Sequence, residues 1–290
     1  MISIAMATYN GAKYIKEQID SILNQTIQDI EIVICDDCSQ DSTFDILKDY
    51  QTNDSRIRVY KNEDNLGFKK NFEKAISLCH GEYIALSDQD DIWMPNHLEL
   101  LRKEIGSKVL VCGNADLINE EGESLGMTLK TQESLDKIPD NDLKKLMSII
   151  IFRNPYQGAS MLFKKQALIH AFPFPEDVSF HDTWLAAMAC LNGGLNYVKT
   201  PILQYRRLNS SITGPRLKKK SRYRNFRYQI IYKDRVRMVN HLIKRNPHCK
   251  DSEKKMLNKF LIVFNRTNSL WGRIKNTFFY LRYFKTIYSC

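Results

Sequence analysis

The chain has 290 residues, 43% hydrophobic and 26% charged, the make-up of a globular protein with a sizeable core. No apolar run approaches the roughly 18 residues of a membrane span, and Met1-Ile2-Ser3-Ile4 opens like a strand rather than a signal peptide. The net charge of +10 is unevenly spread: residues 1–215 hold 22 Lys and Arg against 30 Asp and Glu, whereas residues 216–290 hold 21 against 3. Such a split predicts an acidic domain that does chemistry and a basic tail that meets an anionic surface.

In chain order, Ile2–Ala7 is predicted as a strand ending in the turn cluster Thr8-Tyr9-Asn10-Gly11. A helix over Ala12–Asn24 follows from the spacing of Tyr14, Ile15, Ile19, Ile22 and Leu23. Ile30–Cys35 is a continuous apolar run suited to a buried parallel strand, and it ends in Asp36-Asp37-Cys38-Ser39. Thr43–Tyr50 is helical, Ile57–Tyr60 a strand, Gly67–Cys79 a helix and Tyr83–Ser87 a strand. Then come a helix over Asn96–Ile105 and a strand over Val109–Cys112. Strand and helix alternate with short connections, so the first 115 residues read as a mostly parallel α/β sheet with right-handed crossovers. Beyond them lie a hairpin turn at Asn119–Gly122, a polar stretch over 127–148 expected as a loop or lid, a strand over Gly158–Phe163, a buried helix over Thr183–Leu191 and a short strand at Leu203–Arg206. The polar loop Leu208–Gly214 leads to a composition shift near Pro215.

Cys35 and Cys38 form a lone C-x-x-C among seven scattered cysteines. No second pair completes a zinc site, and free thiols in a reducing compartment are the expectation.

The most informative stretch is Asp88-Gln89-Asp90-Asp91, at the end of the strand Tyr83–Ser87. Three carboxylates in four positions repel one another. Such a cluster either sits in solvent before a helix or holds a cation. At the carboxyl end of a strand it lies where open α/β sheets bind ligands. Oxygen-only ligands point to Mg²⁺ or Mn²⁺ on the phosphates of a nucleotide.

A nucleotide also needs contacts at its base and ribose. Thr8, Tyr9 and Asn10 offer backbone and side-chain contacts, with Tyr9 able to stack. Asp37 offers an acceptor for the imide N–H of uracil or thymine, or else caps the helix from Thr43. Asn65-Leu66-Gly67 with Asn71 reads as a loop entering a helix, with Gly67 permitting close backbone approach and Lys69, Lys70 or Asn71 in reach of base or phosphate, or simply as a helix start with a solvated basic turn. Asp182 is either a helix cap or a general base, and His181 either orients it or is a packed aromatic.

These pieces together resemble inverting glycosyltransferases of family 2 with the GT-A fold. The resemblance covers about residues 1–214 and rests on Ala7–Gly11, Ile32–Ser39, Asn65–Gly67 with Asn71, Ser87–Trp93 and His181–Trp184, in that order. The run Ser87–Trp93 paired with His181-Asp182-x-Trp184 is similar to bacterial rhamnosyltransferase-like members. The resemblance implies that Thr8, Tyr9 and Asp37 hold base and ribose, that Asp90 ligates the metal with Asp88 on metal, ribose or donor sugar, that Asp91 orients donor or acceptor, and that Asp182 is the catalytic base. It places Arg206 near the diphosphate. Similar proteins follow their Tyr-Arg pair with Gln-His, where this chain has Arg207-Leu208, so a metal or phosphate ligand is missing.

The implied partners are a UDP- or dTDP-linked sugar and a glycan acceptor, expected to be lipid-linked. In the tail, Phe226, Ile230, Ile231, Val236, Val239 and Leu242 lie among Arg222, Arg224, Arg227, Lys233, Arg235 and Arg237, and a similar mixture recurs over Leu270–Lys285. Basic amphipathic helices of this kind either anchor to anionic lipid or pack on the catalytic domain with a solvated basic face. No nucleic-acid-binding module is visible.

The expectation is a GT-A catalytic domain over 1–214 (1–115 nucleotide-binding, 116–214 acceptor-binding) and a basic helical tail over 215–290, located in the cytoplasm on the inner face of the membrane. A non-catalytic nucleotide-sugar-binding protein is the alternative from another class. A nucleotidyltransferase is a third, weakened because Thr8–Lys13 is a poor phosphate-binding loop.

Overall fold

The computed structural model describes residues 1–151, 154–208 and 224–264, without the side chains of 224–232 and 263–264. The expectations for 209–214, Arg216–Lys220, the side chains of Phe226, Ile230 and Ile231, and Leu270–Lys285 lie outside the described residues. The strands are β1 (Ile2–Thr8), β2 (Ile30–Asp36), β3 (Ile57–Lys61), β4 (Tyr83–Ser87), β5 (Ile92–Trp93), β6 (Leu110–Ile118), β7 (Ser124–Thr128), β8 (Leu162–Lys164) and β9 (Leu195–Arg206). The helices are α1 (Ile15–Leu23), α2 (Thr43–Asn53), α3 (Phe68–Leu78), α4 (His97–Glu104), α5 (Gln132–Asp136), α6 (Asp142–Ile151), α7 (His181–Leu191), α8 (Arg224–Arg245) and α9 (Asp251–Phe264).

The nine strands of the described residues join one sheet, ordered β3-β2-β1-β4-β8-β6-β9-β5, with β7 paired to β6. The stretch β3-β2-β1-β4 is parallel throughout, as expected of apolar runs linked by helices. Alternation along β1 and β2 sends Ile4, Met6, Ile32 and Ile34 to one face and Ala5, Val33 and Cys35 to the other, so each face carries its own apolar core. Beyond β4 the sheet is mixed: β8 runs antiparallel to β4 and β6, and β5 antiparallel to β9.

Several elements differ from the sequence-based expectation. The strand expected over Gly158–Phe163 begins instead as a 3₁₀ turn at Gly158–Ser160, and only Leu162–Lys164 pairs as strand. The polar stretch 127–148 contains α5 and most of α6, seven residues of which are buried. Lys145 disguised α6 as a surface segment. Its ammonium is buried and met by the Leu195 carbonyl and the Asp142 carboxylate. The short strand expected at 203–206 is the end of β9, twelve residues long. The β6–β9 register shifts where Asn114 meets Pro201, a residue that cannot donate to the ladder.

The described part of the basic segment is packed. Met238, Val239 and Leu242 of α8 and Met256, Leu257 and Phe260 of α9 are buried in the same core cluster as Trp184 of α7 and Ile149 of α6. Arg245 stacks over Trp184 and donates to the carbonyls of Ala171 and Pro173. No helix among the described residues is long and apolar enough to cross a membrane.

Candidate active site

The parallel register brings three loops to one edge. Thr8 lies level with Asp36, and Met6 with Ser87, so Thr8–Asn10, Asp36–Asp37 and Asp88–Asp91 all leave the carboxyl ends of adjacent strands. The first two loops are locked by hydrogen bonds. The fully buried Asp36 accepts from the Thr8 hydroxyl at 3.1 Å and from the Ser39 N–H and hydroxyl. Asn10 sits at φ +49°, a conformation an asparagine tolerates, and its side chain accepts from the Gln40 N–H. Tyr9 is exposed, leaving its ring free to stack. Its backbone is clamped by Gln89, which accepts from the Tyr9 N–H at 2.8 Å and donates to its carbonyl at 3.0 Å. A Cβ at Gly11 would stand 2.4 Å from Gln89 Oε1, so the clamp requires glycine there.

Asp37 is 2% exposed and organises the loop before α3. Its carboxylate accepts from the Leu66 N–H (2.8 Å), the Gly67 N–H (2.9 Å) and the Asn62 amide (2.7 Å). Asn65 is exposed and ties its amide to the Asp37 carbonyl. Gly67 has φ +78° with nothing within 4 Å of a built Cβ, so backbone conformation rather than crowding asks for glycine. Asn71 lies beneath the loop, 1% exposed, donating to the Cys35 carbonyl and accepting from Asn62. Lys69 turns away from this edge: its ammonium donates to the carbonyls of Pro175, Glu176 and Val178, each at 2.8 Å. Lys70 is exposed and pairs with Glu176 at 3.2 Å.

The third loop is different in kind. Burial, then the charges of Asp90 and Asp182, push the Asp88 carboxyl up to about 7. Asp90 is raised by burial despite the nearby Arg206 cation. Asp91 is 1% exposed and raised well above the carboxylate range by burial and by Asp90 and Asp88. One of its oxygens accepts from the Arg206 N–H at 3.0 Å; the other is buried without a partner. Asp182, at the first turn of α7, is pushed up to about 6 by burial, against the pull of Thr183, Arg235 and Asn154. The Asp182 charge acts on Asp88, which places the β4 loop and the α7 terminus in one electrostatic neighbourhood, although 94 positions separate them.

His181 stacks on Phe72 with ring centroids 4.5 Å apart and is lowered to about 4 by burial and the Lys69 charge. It is a neutral, packed ring, and neither nitrogen has a hydrogen-bond partner. Arg206 is 2% exposed. It donates to the carbonyls of Asp90 and Glu120, pairs with Glu17 and lies over the Tyr14 ring at 4.7 Å. Its guanidinium is thus a clip joining β9, the acidic loop, the β6–β7 turn and α1.

Sequence reading missed the Gln89 clamp, the Asn154 contact to Asp182 and the Arg235 charge near Asp182. Only Gln89 carried a local signal, its place inside the acidic run. Cys35 and Cys38 are free, with Cys38 Sγ donating to the Asn62 carbonyl at 3.0 Å.

A family model described as glycosyl transferase family 2 matches residues 3–172. The chain belongs to this family. It is 30% identical over 221 residues to the putative glycosyltransferase EpsH of Bacillus subtilis, covering 73% of this chain and 62% of that one. It is 36% identical over 124 residues to a chondroitin synthase of Escherichia coli, covering 41% of this chain and 18% of that one. The chain therefore spans less than two thirds of these relatives. The structure of Staphylococcus aureus TarS residues 1–349 with UDP-GlcNAc superposes at TM-score 0.64 with 18% identity, covering 99% of this chain and 81% of that one. The fold is the expected GT-A arrangement of a helix-flanked sheet.

Proposed function

We propose that this family 2 glycosyltransferase moves a sugar from a nucleoside diphosphate to a glycan acceptor during cell-surface polysaccharide synthesis, with inversion at the anomeric carbon. The observation that carries this reading is that the strand-end acidic loop feels the charge of Asp182, a carboxyl that burial pushes up to about 6. A base titrating near the working pH is both available in its anionic form and strong enough to take a proton.

In this reading Asp182 removes the proton of the acceptor hydroxyl as its oxygen attacks the anomeric carbon and the nucleoside diphosphate leaves from the opposite face. Asn154 and Thr183 hold the carboxylate in place. Tyr9 stacks on the base; Thr8, Asn10, Asn65 and Gly67 shape the walls of its pocket. Asp37 acts through the backbone of residues 66–67, which it fixes. Asn71 supports that network from below, and Arg206 holds the acidic loop at its backbone.

The acidic loop suits a divalent cation. Its donors are all carboxylate oxygens, they repel one another, and an Asp91 oxygen is orphaned. Among the described residues no three His, Cys, Asp or Glu side chains are gathered as a metal cage. One or two carboxylates with substrate phosphates is the usual way of holding Mg²⁺. Asp90 and Asp88 would hold Mg²⁺ or Mn²⁺ here, with Asp91 orienting the sugar; the bound cation would neutralise charge gathering on the departing diphosphate. Leu208 in place of a histidine leaves that shell to carboxylates and phosphates.

The finer parts of the reading are a dTDP- or UDP-linked donor, rhamnose as its sugar, a lipid-linked acceptor and a site of action on the inner membrane face. The last is supported by the excess of Lys and Arg after residue 215. The division at 214/215 then marks a change of surface charge rather than of core. A panel of UDP- and dTDP-sugars, assayed for binding and nucleoside-diphosphate release with Mn²⁺ or EDTA, tests the reading. The expected result is turnover of one donor with metal and its loss with EDTA. Failure of every nucleotide sugar to bind in Mn²⁺ would sink it.

A further inference from the structure

Residues 172–180 lead into α7 and belong to no helix or strand. The backbone groups of such a segment need partners from elsewhere, and here two helices supply them. From α3, Glu73 accepts from the Phe174 N–H, and Lys69 donates to the carbonyls of Pro175, Glu176 and Val178, each at 2.8 Å. From α8, Asp234 accepts from the N–H and the hydroxyl of Ser179, both at 2.8 Å, and Arg245 donates to the Pro173 carbonyl at 2.7 Å. We propose that Lys69 and Asp234 are positioning residues for the Asp182 carboxylate, acting through this clasped segment, and that α8 is therefore part of the catalytic unit. The inference rests on the reading of Asp182 as the base and adds what holds it.

The start of α7 shows why a clasp is needed. Its N-cap position is Phe180, whose side chain cannot bond to the first turn, and no cap hydrogen bond forms there. Core packing fixes the body of α7, whereas Asp182 stands in the first turn, the part of a helix that frays. Ser179 precedes Asp182 by three residues, a span of at most about 10 Å of chain. Holding Ser179 therefore holds the approach to that turn.

The two residues suit the task. An ammonium has three donors and no acceptor, which matches three carbonyls of one short segment. Burial lowers the Lys69 pKa while the charges of Asp177 and Asp234 hold it up, so the α3 and α8 sides of the clasp lie within electrostatic reach of each other. Asp177 adds to the α8 side, meeting His241 at 2.7 Å and Arg237 at 4.0 Å. These ion pairs are exposed and add little to global stability. The consequence of the clasp is geometric: a misplacement of about 1 Å near a reacting group can cost about 10²-fold in rate.

Asp234 uses a single oxygen, Oδ1, for both bonds to Ser179. An asparagine there keeps that acceptor and loses the charge, which separates hydrogen bonding from electrostatics.

The test uses the full chain with carboxyl-labelled aspartate for NMR, the Asp182 signal being assigned by its loss in Asp182→Asn. Asp234→Ala is expected to speed hydrogen exchange over residues 175–183 by about tenfold. It should also move the Asp182 titration from about 6 toward the ordinary carboxylate range by about half a pH unit, because burial is the largest influence on that group. Asp88 and Arg235, the charged groups in reach of Asp182, stay in place throughout. Affinity for UDP and dTDP in calorimetry should be unchanged. Asp234→Asn should behave as wild type, and Lys69→Met, which keeps the stem, should reproduce Asp234→Ala from the other side. With the nucleotide sugar that the wild type turns over, kcat should fall about tenfold or more in Asp234→Ala and Lys69→Met at constant donor KM. Unchanged exchange and titration in both variants would overturn the clasp, as would equal effects of asparagine and alanine at position 234. Melting point and nucleotide affinity falling in step with kcat would also overturn it, making the two residues packing contacts only. Turnover of no nucleotide sugar by the wild-type chain would remove the transferase reading, while exchange and titration would still decide what holds Asp182.

Discussion

Two sets of aspartates leave β2 and β4, the strands on either side of β1, at the same sheet edge in opposite states. Asp36 and Asp37 are saturated, with three hydrogen bonds to each carboxylate. Asp88, Asp90 and Asp91 are crowded, raised by burial, and in part orphaned. Residue type and location are the same, so the difference lies in what surrounds each group. The first set spends its charge on fixing loops. In the second set burial and mutual repulsion disfavour the ionised form, a cost in stability that a bound cation would offset.

Asp182 belongs with the second set, and its removal should have the largest effect. Asp182→Asn keeps size and burial but cannot take a proton, so transfer should fall by about 10²–10⁴-fold with donor affinity unchanged in calorimetry. In the wild-type enzyme the rate should rise with pH through about 6 and then level, because only the ionised carboxylate is a base. A flat profile from pH 5 to 8, with chemistry rate-limiting, would reassign the base.

The contrast itself is tested by a pair of stability measurements without metal. Asp37→Ala strands the Leu66 N–H and one hydrogen of the buried Asn62 amide and leaves the Gly67 N–H to Asn65 alone. It should cost about 1–4 kcal/mol, at about 1–3 kcal/mol for a buried group left unpaired and less for the exposed Leu66. Asp88→Asn should do the reverse. The folded-state pKa of Asp88 is raised, so the native chain binds more protons than the unfolded chain between about 4 and 7, and stability falls as pH rises through that window. The asparagine removes this penalty. The expected outcome is a melting point up by a few degrees at pH 8, at about 2–4 °C per kcal/mol, and little change at pH 4. Equal losses in both variants would erase the distinction.

Both sets of aspartates were visible in the sequence as runs at strand ends, but their states were not. Saturation of Asp37 depends on Asn62 and Leu66, 25 and 29 positions away. The α/β alternation was legible because continuous apolar runs and helical spacing are local signals. The same logic failed over the polar stretch 127–148, where the Leu195 carbonyl and the Asp142 carboxylate let Lys145 of α6 be buried. Arg206 is a similar case: a Tyr-Arg pair suggested a phosphate contact, whereas the guanidinium is surrounded by Glu17, Asp90, Glu120 and Tyr14. No local pattern reports such a constellation.

The smallest effect concerns Arg235, a residue of the basic segment that reading by composition assigned to a surface. It is 8% exposed, on the face of α8 shared with Met238, Val239 and Leu242, and its charge lowers the Asp182 pKa against the larger effect of burial. Removing that charge raises the pKa of the base, leaving less of it ionised at low pH. Arg235→Gln should therefore shift the acid limb upward by less than about one pH unit, lowering the rate several-fold at pH 6 and hardly at pH 8. Arg235→Lys should hold the limb in place. A uniform loss at both pH values, unrestored by lysine, would make Arg235 a packing residue and return the tail to a role away from the chemistry.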